Sequence, residues 1–173
     1  MSGVRKARVR SFAPIAARNA KILILGSMPG RASLAAGQYY AHRQNAFWRI
    51  VCGLLGIDPA SPYEARVRAL RASRIAVWDV LHSCVRPGSL DSSITAEAAN
   101  DFNVFFRRHP GIARVFFNGA KAEASFRRHV LPAIGRPLRD RVISYYRLPS
   151  TSPAHASLPY ARKLKAWRAI LRG

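Results

Sequence analysis

Four short apolar runs recur along the chain, and their spacing predicts strands alternating with helices. The runs are Lys21–Leu25, Arg74–Val80, Ala113–Phe117 and Val142–Tyr146. Each is continuous rather than alternating and rich in β-branched or aromatic residues, as strands covered on both faces are. Between them the apolar residues move to helical spacing. Phe47, Ile50, Val51 and Leu54 define a helix over Ala46–Leu55, and Ser61-Pro62 offers a cap and first-turn proline for one over Ser61–Ala72. Further helices are predicted over Thr95–Arg108, Ala120–Val130 and Leu158–Leu171, the last with Tyr160, Leu164, Trp167 and Leu171 on one side and basic residues on the other. The alternation points to an α/β domain. Its expected form is a three-layer α/β/α stack around a central, mainly parallel four-stranded sheet.

The 173 residues suffice for one well-buried domain, expected over residues 21–173. Residues 1–20 are basic and weakly patterned, and read as an extended or irregular lead-in. They lack the apolar centre and cleavage site of a secretory signal, and no stretch approaches the ~20 apolar residues of a membrane span. An intracellular protein with no membrane partner, and a monomer, is expected. Cys52 and Cys84 are too few for a disulfide framework, and the five histidines are scattered without ligand spacing. Neither a metal nor a cofactor is expected.

Charge changes the picture. With 29 Lys and Arg against 8 Asp and Glu, the net charge is +21. Such a field favours a polyanion, and arginines clustered in candidate helices make nucleic acid the expected one. An Arg-rich proteome would give the same composition without a partner. Charge alone says nothing about chemistry.

In a parallel sheet, ligands bind where strands end at their carboxyl termini, so the segments after each run carry the information. After the first come Gly26-Ser27-Met28-Pro29-Gly30 and then Tyr39-Tyr40-Ala41-His42-Arg43-Gln44-Asn45-Ala46-Phe47-Trp48. The glycines and proline form a tight turn that can bring backbone amides close to a ligand or simply connect strand to helix. No Gly-Lys-Ser/Thr follows, and the G-x-S-x-G spacing is absent, which excludes a Walker A loop and a nucleophile elbow. After the second run come His82-Ser83-Cys84 and Gly88-Ser89-Leu90-Asp91. Asn118-Gly119 follows the third, with an amide able to read a base edge or cap a helix. After the fourth, Leu148-Pro149-Ser150-Thr151-Ser152-Pro153-Ala154-His155 forms a stiff loop with amides and hydroxyls suited to phosphates.

The full set, GSMPG…YYAHRQNAFW, WDVLHSC…GSLDSSI, FFNGAKA and LPSTSPAHA, resembles the uracil-DNA glycosylase superfamily, and within it most closely the hypoxanthine-DNA glycosylase branch. The resemblance runs in order from Lys21 to Arg172. It implies a monofunctional DNA glycosylase of base excision repair that flips a deaminated base (uracil, hypoxanthine or xanthine) from DNA and hydrolyses its bond to deoxyribose. It also implies that Ser27, Met28, Tyr40, Phe47 and Asn118 surround the base, with Tyr40 stacking on it and Asn118 bonding its edge. Ser150, Thr151, Ser152, Pro153 and His155 would contact DNA.

Met28 stands where much of the superfamily carries a water-positioning Asp or Asn. The branch resemblance moves that role to Asn45, which would equally serve as an N-cap of the following helix. An amide is no strong base, so proton removal by Asn45 is not implied, and His42, Asp79 or His82 are the candidates to assist it. A damaged-DNA-binding protein without catalysis, on the same fold, is the alternative that Met28 keeps open.

Overall fold

The computed structural model describes residues 8–172. Its centre is a four-stranded parallel sheet. The strands are β2 (Ile22–Gly26), β3 (Ile75–Asp79), β6 (Arg114–Asn118) and β7 (Ser144–Leu148), in the spatial order β3-β2-β6-β7. β2 and β3 are buried at every position, as their unbroken apolar character requires. Register aligns Leu25 with Trp78 and with Phe117, so these three share one face.

That face meets α4 (Phe102–Arg108), through Trp78 against Phe102 and Phe105 at 5.0 and 4.8 Å between centroids. Phe117 packs on Phe126, in a wide helical turn that continues α5 (Ala120–Ser125). A second helical group comprises α2 (Phe47–Leu55), α3 (Tyr63–Ala72) and α7 (Tyr160–Trp167). In it α2 meets α7 through an edge-to-face contact of Phe47 and Trp167 at 5.9 Å, and α3 through one of Trp48 and Tyr63 at 5.7 Å. Short helices α1 (Arg31–Ala36) and α6 (Arg136–Arg139) complete the chain. The three-layer α/β/α order expected from the alternation is the one observed.

Three differences from the sequence reading have physical reasons. The helix expected over Thr95–Arg108 is a helix only from Phe102. Its first five residues form β5 (Thr95–Ala99), antiparallel to β4 (Leu81–Val85). Tertiary pairing overrides the helix propensity of an Ala- and Glu-containing segment. The helix starts where Asp101 accepts the Val104 amide at 3.0 Å as a side-chain cap.

The last parallel strand begins two residues later than Val142, because its register is set by the full length of β6, from Arg114–Ser144 to Asn118–Leu148. Val142 itself is exposed. Finally, part of the expected irregular lead-in is ordered. β1 (Arg8–Arg10) pairs with β4, giving a small antiparallel sheet β1-β4-β5, and Ile15 bridges to Val77. Residues 1–7 of that lead-in lie outside the described residues.

Candidate active site

All four parallel strands end on one side, at Gly26, Asp79, Asn118 and Leu148, and a cavity of about 600 Å³ opens there. The first loop forms one wall. Its Ser27 hydroxyl donates to Asp91 Oδ1 at 2.7 Å. The Pro29 carbonyl accepts from the buried Arg86 guanidinium, whose Nε also donates to Gly88 O at 3.0 Å. The Arg31 amide donates to Ser89 Oγ at 2.9 Å. The segment after β4 thus folds back and pins the glycine–proline loop from outside, and Ser89, Leu90 and Asp91 join the lining. Met28 lines the cavity and is buried.

The second wall carries Tyr39, Tyr40, His42 and Asn45. Tyr40 has φ of 54°, a left-handed conformation rare for an aromatic residue, and its ring stacks on Phe47 at 3.9 Å with 20° between planes. Phe47 is fully buried, seals the far face of Tyr40, and does not reach the cavity. The Tyr40 hydroxyl is sealed from solvent without a hydrogen-bond partner. Burial, with Asp79 nearby, pushes its ionisation far above the usual tyrosine range. Asn45 is half-buried, and its Oδ1 accepts the Phe47 backbone amide at 3.0 Å. The helix-start role open to this asparagine is therefore filled by its oxygen, which leaves the amide NH2 as the end available to a ligand.

Asn118 and the last loop close the third side. The Asn118 side chain donates to Thr151 Oγ1 and accepts from the Thr151 amide, both at 2.9 Å. Gly119, with φ of 94°, lets Ser150 approach so closely that a Cβ would sit 3.0 Å from the Ser150 Cβ. Thr151 is buried and faces Asn118 rather than solvent. The hydroxyls of Ser150 and Ser152 accept from the amides of Ser152 and Ala154, each at 3.2 Å. Trp167 Nε1 donates to Pro149 O at 2.9 Å and Lys163 Nζ to His155 O at 2.7 Å, which holds both ends of the loop. Pro153, Ala154 and His155 are exposed at the rim.

Tyr40, Asn45, Asn118, Ser27 and Met28 therefore share one cavity with the 150–155 loop, whereas Phe47 stands behind it. Among the lining residues, Ser89 and Asp91 carry no role in the sequence reading, and Asp79 enters it only as one of three candidates to assist Asn45. Asp79 is buried at the end of β3, and its carboxyl is held up to about 7, chiefly by burial and then by the Asp91 charge, against the pull of Arg86. An acid ending an otherwise apolar strand was the available signal. Among the described residues, no three His, Cys, Asp or Glu side chains are grouped as a metal site needs, and no helix is long and apolar enough to cross a membrane.

A parallel α/β sheet with a cavity at its strand ends, walled by an aromatic ring and two side-chain amides, is a ligand-binding arrangement with room for an extruded nucleotide. The family profile of the uracil DNA glycosylase superfamily matches residues 13–171. The chain is 39% identical over 114 residues to a hypoxanthine DNA glycosylase of Methanosarcina barkeri, spanning 65% of this chain and 72% of that protein. It matches a hypoxanthine DNA glycosylase of Methanosarcina acetivorans to the same extent. A solution NMR structure from M. acetivorans, of a protein provisionally named a uracil DNA glycosylase, superimposes with a TM-score of 0.80 at 32% identity. It covers 96% of this chain and 98% of that one. The chain belongs to the uracil DNA glycosylase superfamily and is a DNA glycosylase.

Proposed function

We propose that this glycosylase removes deaminated bases from DNA, with hypoxanthine as the principal substrate and mispaired uracil as a second, by flipping the nucleotide and hydrolysing the C1′–N bond. The observation that carries this reading is the meeting of Tyr40, Asn45 and Asn118 in one cavity at the strand ends. The free side of Tyr40 offers a stacking surface backed by Phe47, and base–aromatic stacking contributes ~1–3 kcal/mol. Asn118 keeps one N–H and one oxygen lone pair for the base edge after its two bonds to Thr151. Phe47 acts through Tyr40 rather than on the base.

Bond cleavage places negative charge on the departing base and positive charge on the sugar. Asn45 is oriented to donate, because its oxygen is committed to Phe47. Its NH2 stabilises the departing base or fixes the attacking water, without removing a proton. The 150–155 loop sits at the cavity rim, where its exposed Pro153–His155 tip presses on the duplex while the strand phosphates meet the strongly basic surface.

The test is incubation of duplexes bearing one hypoxanthine, uracil or xanthine, followed by alkali. Strand breaks at the lesion, fastest for hypoxanthine, are expected. Tight binding with every base retained would overturn the reading.

A further inference from the structure

Two buried polar groups on the cavity floor are unused by the account above. The Asp79 carboxyl lines the cavity although the residue is only 3% exposed, and its Oδ2 has no hydrogen-bond partner. The Tyr40 hydroxyl is equally without one. Both crowd the same glycine: a Cβ on Gly26 would fall 2.6 Å from Asp79 Oδ1 and 3.0 Å from the Tyr40 oxygen. The missing side chain at Gly26 is what admits the carboxyl to the floor, directly across the strand pair from it.

A carboxylate sealed from water with an unsatisfied oxygen is costly, and such a group takes up a proton instead. The charged and titratable groups facing Asp79 decide how strongly. Arg86, whose Nε and Nη2 donate to Gly88 O and Pro29 O while its buried Nη1 has no partner, favours the ionised form. Asp91, on the connection between β4 and β5, opposes it. Tyr39 and Tyr40, whose own ionisation burial pushes far up, stay neutral beside it. Burial is the largest effect, and the carboxyl titrates near 7. A neutral acid in the floor of a base pocket can serve as a proton donor to a base that fills it.

We propose that Asp79 is the proton donor to the departing base. The inference rests on the glycosylase reading and deepens it. As the C1′–N bond breaks, its electron pair goes to the base, and the carboxylic proton of Asp79 passes to a ring nitrogen or carbonyl oxygen of that base. The water oxygen bonds C1′, and the proton it sheds restores the acid through solvent. Sugar and base thereby gain OH and H, and no other reactant is needed. A general acid of this kind contributes on the order of 10²-fold or more. Hypoxanthine gains most, since protonation of its imidazole ring assists departure, whereas uracil leaves well as an anion delocalised over two carbonyls.

The experiment is single-turnover base release from deoxyinosine and deoxyuridine duplexes between pH 5.5 and 9, with wild type, Asp79→Asn and Asp79→Ala, and with DNA affinity and melting followed in parallel. The expected wild-type deoxyinosine rate is level below about pH 7 and falls about tenfold per unit above it. Asp79→Asn is expected at least tenfold slower at pH 6, with a flat profile, unchanged DNA affinity and a much smaller loss on deoxyuridine. Asp79→Asn with the wild-type pH profile, or with equal losses on both bases, would overturn the assignment while leaving the glycosylase reading intact. Wild type that releases neither base sinks both.

Discussion

Asn118 and Thr151 hold each other through a closed pair of hydrogen bonds, side chain to side chain and backbone to side chain, both 2.9 Å long. The amide at the end of β6 therefore positions the final loop as well as facing the cavity. The same loop is tied to α2, since the Ala46 amide donates to Thr151 O at 3.0 Å. The Asn118–Thr151 pair thus joins the sheet, the 150–155 loop and the start of the helix that follows Asn45.

Removing that side chain has two separable effects. Asn118→Ala leaves the Thr151 amide unpaired at a buried site, which costs about 1–3 kcal/mol, and loosens the loop. Loss of base recognition is expected with it. Thr151→Val frees one hydrogen bond but leaves the amide pairing in place, so its expected thermal loss is smaller and its activity closer to wild type. Melting curves and single-turnover rates on both variants check this. A larger rate loss for Thr151→Val than for Asn118→Ala contradicts it.

Asn45 carries a cap and a donor on opposite ends of one amide, and substitutions separate them. Asn45→Ala removes both, with an expected cost of about 1 kcal/mol in stability and at least tenfold in cleavage. Asn45→Asp keeps an oxygen for the Phe47 amide, and a negative charge at a helix start is favourable, so stability should stay within about 0.5 kcal/mol of wild type. It lacks the NH2, and its charge opposes an anionic leaving base, so cleavage should fall at least as far as in Asn45→Ala. Retained cleavage in Asn45→Asp would return the asparagine to a purely structural role.

The parallel strands were legible because burial on both faces leaves nothing but continuous apolar runs, and β2 and β3 are such runs. The strand ends then fixed where Tyr40, Asn45 and Asn118 had to meet. The small antiparallel sheet was not legible. Thr95–Ala99 has helix-compatible residues, and its strand state depends on β4, a partner whose own sequence mixes His82 and Ser83 with apolar residues. Ser89 and Asp91 reach the cavity only because that sheet folds the 86–91 segment against the first loop, a non-local event without a local pattern. Phe47 looked equally able to face a base or the core, since an aromatic two residues past the Asn45 cap fits both. The stack with Tyr40 and its complete burial decide for the core.

The Asp79 carboxyl also makes a pH-dependent contribution to stability. Its ionisation is raised in the folded protein to about 7 from 3.8, so between those values the folded state binds a proton that the unfolded state has released. Stability therefore falls as pH rises across that window and levels off above it. Asp79→Asn has no proton to lose. Its stability relative to wild type should grow from near zero at pH 4 to on the order of 4 kcal/mol at pH 8. Denaturant melts of both proteins at pH 4.5, 6 and 8 measure the difference, and a pH-independent gap would mean that the carboxyl is ionised throughout.

The proposed placement of the rim loop against DNA implies a preference among base pairs. Its two ends are fixed by Trp167 and Lys163, and its hydroxyls are folded into local turns, so it presents one rigid tip. That tip is Pro153, Ala154 and His155, with no large apolar side chain to fill the gap left by a flipped base. Extruding a well-paired base costs a few kcal/mol, and a small wedge recovers little of it. Bases that are already poorly paired therefore gain most: release of uracil from G·U should exceed release from A·U by at least fivefold. Replacing Ala154 with Leu should narrow that ratio by accelerating the A·U substrate. Single-turnover rates on matched duplexes decide it, and equal rates for the two pairs in wild type would show that the loop does not limit flipping.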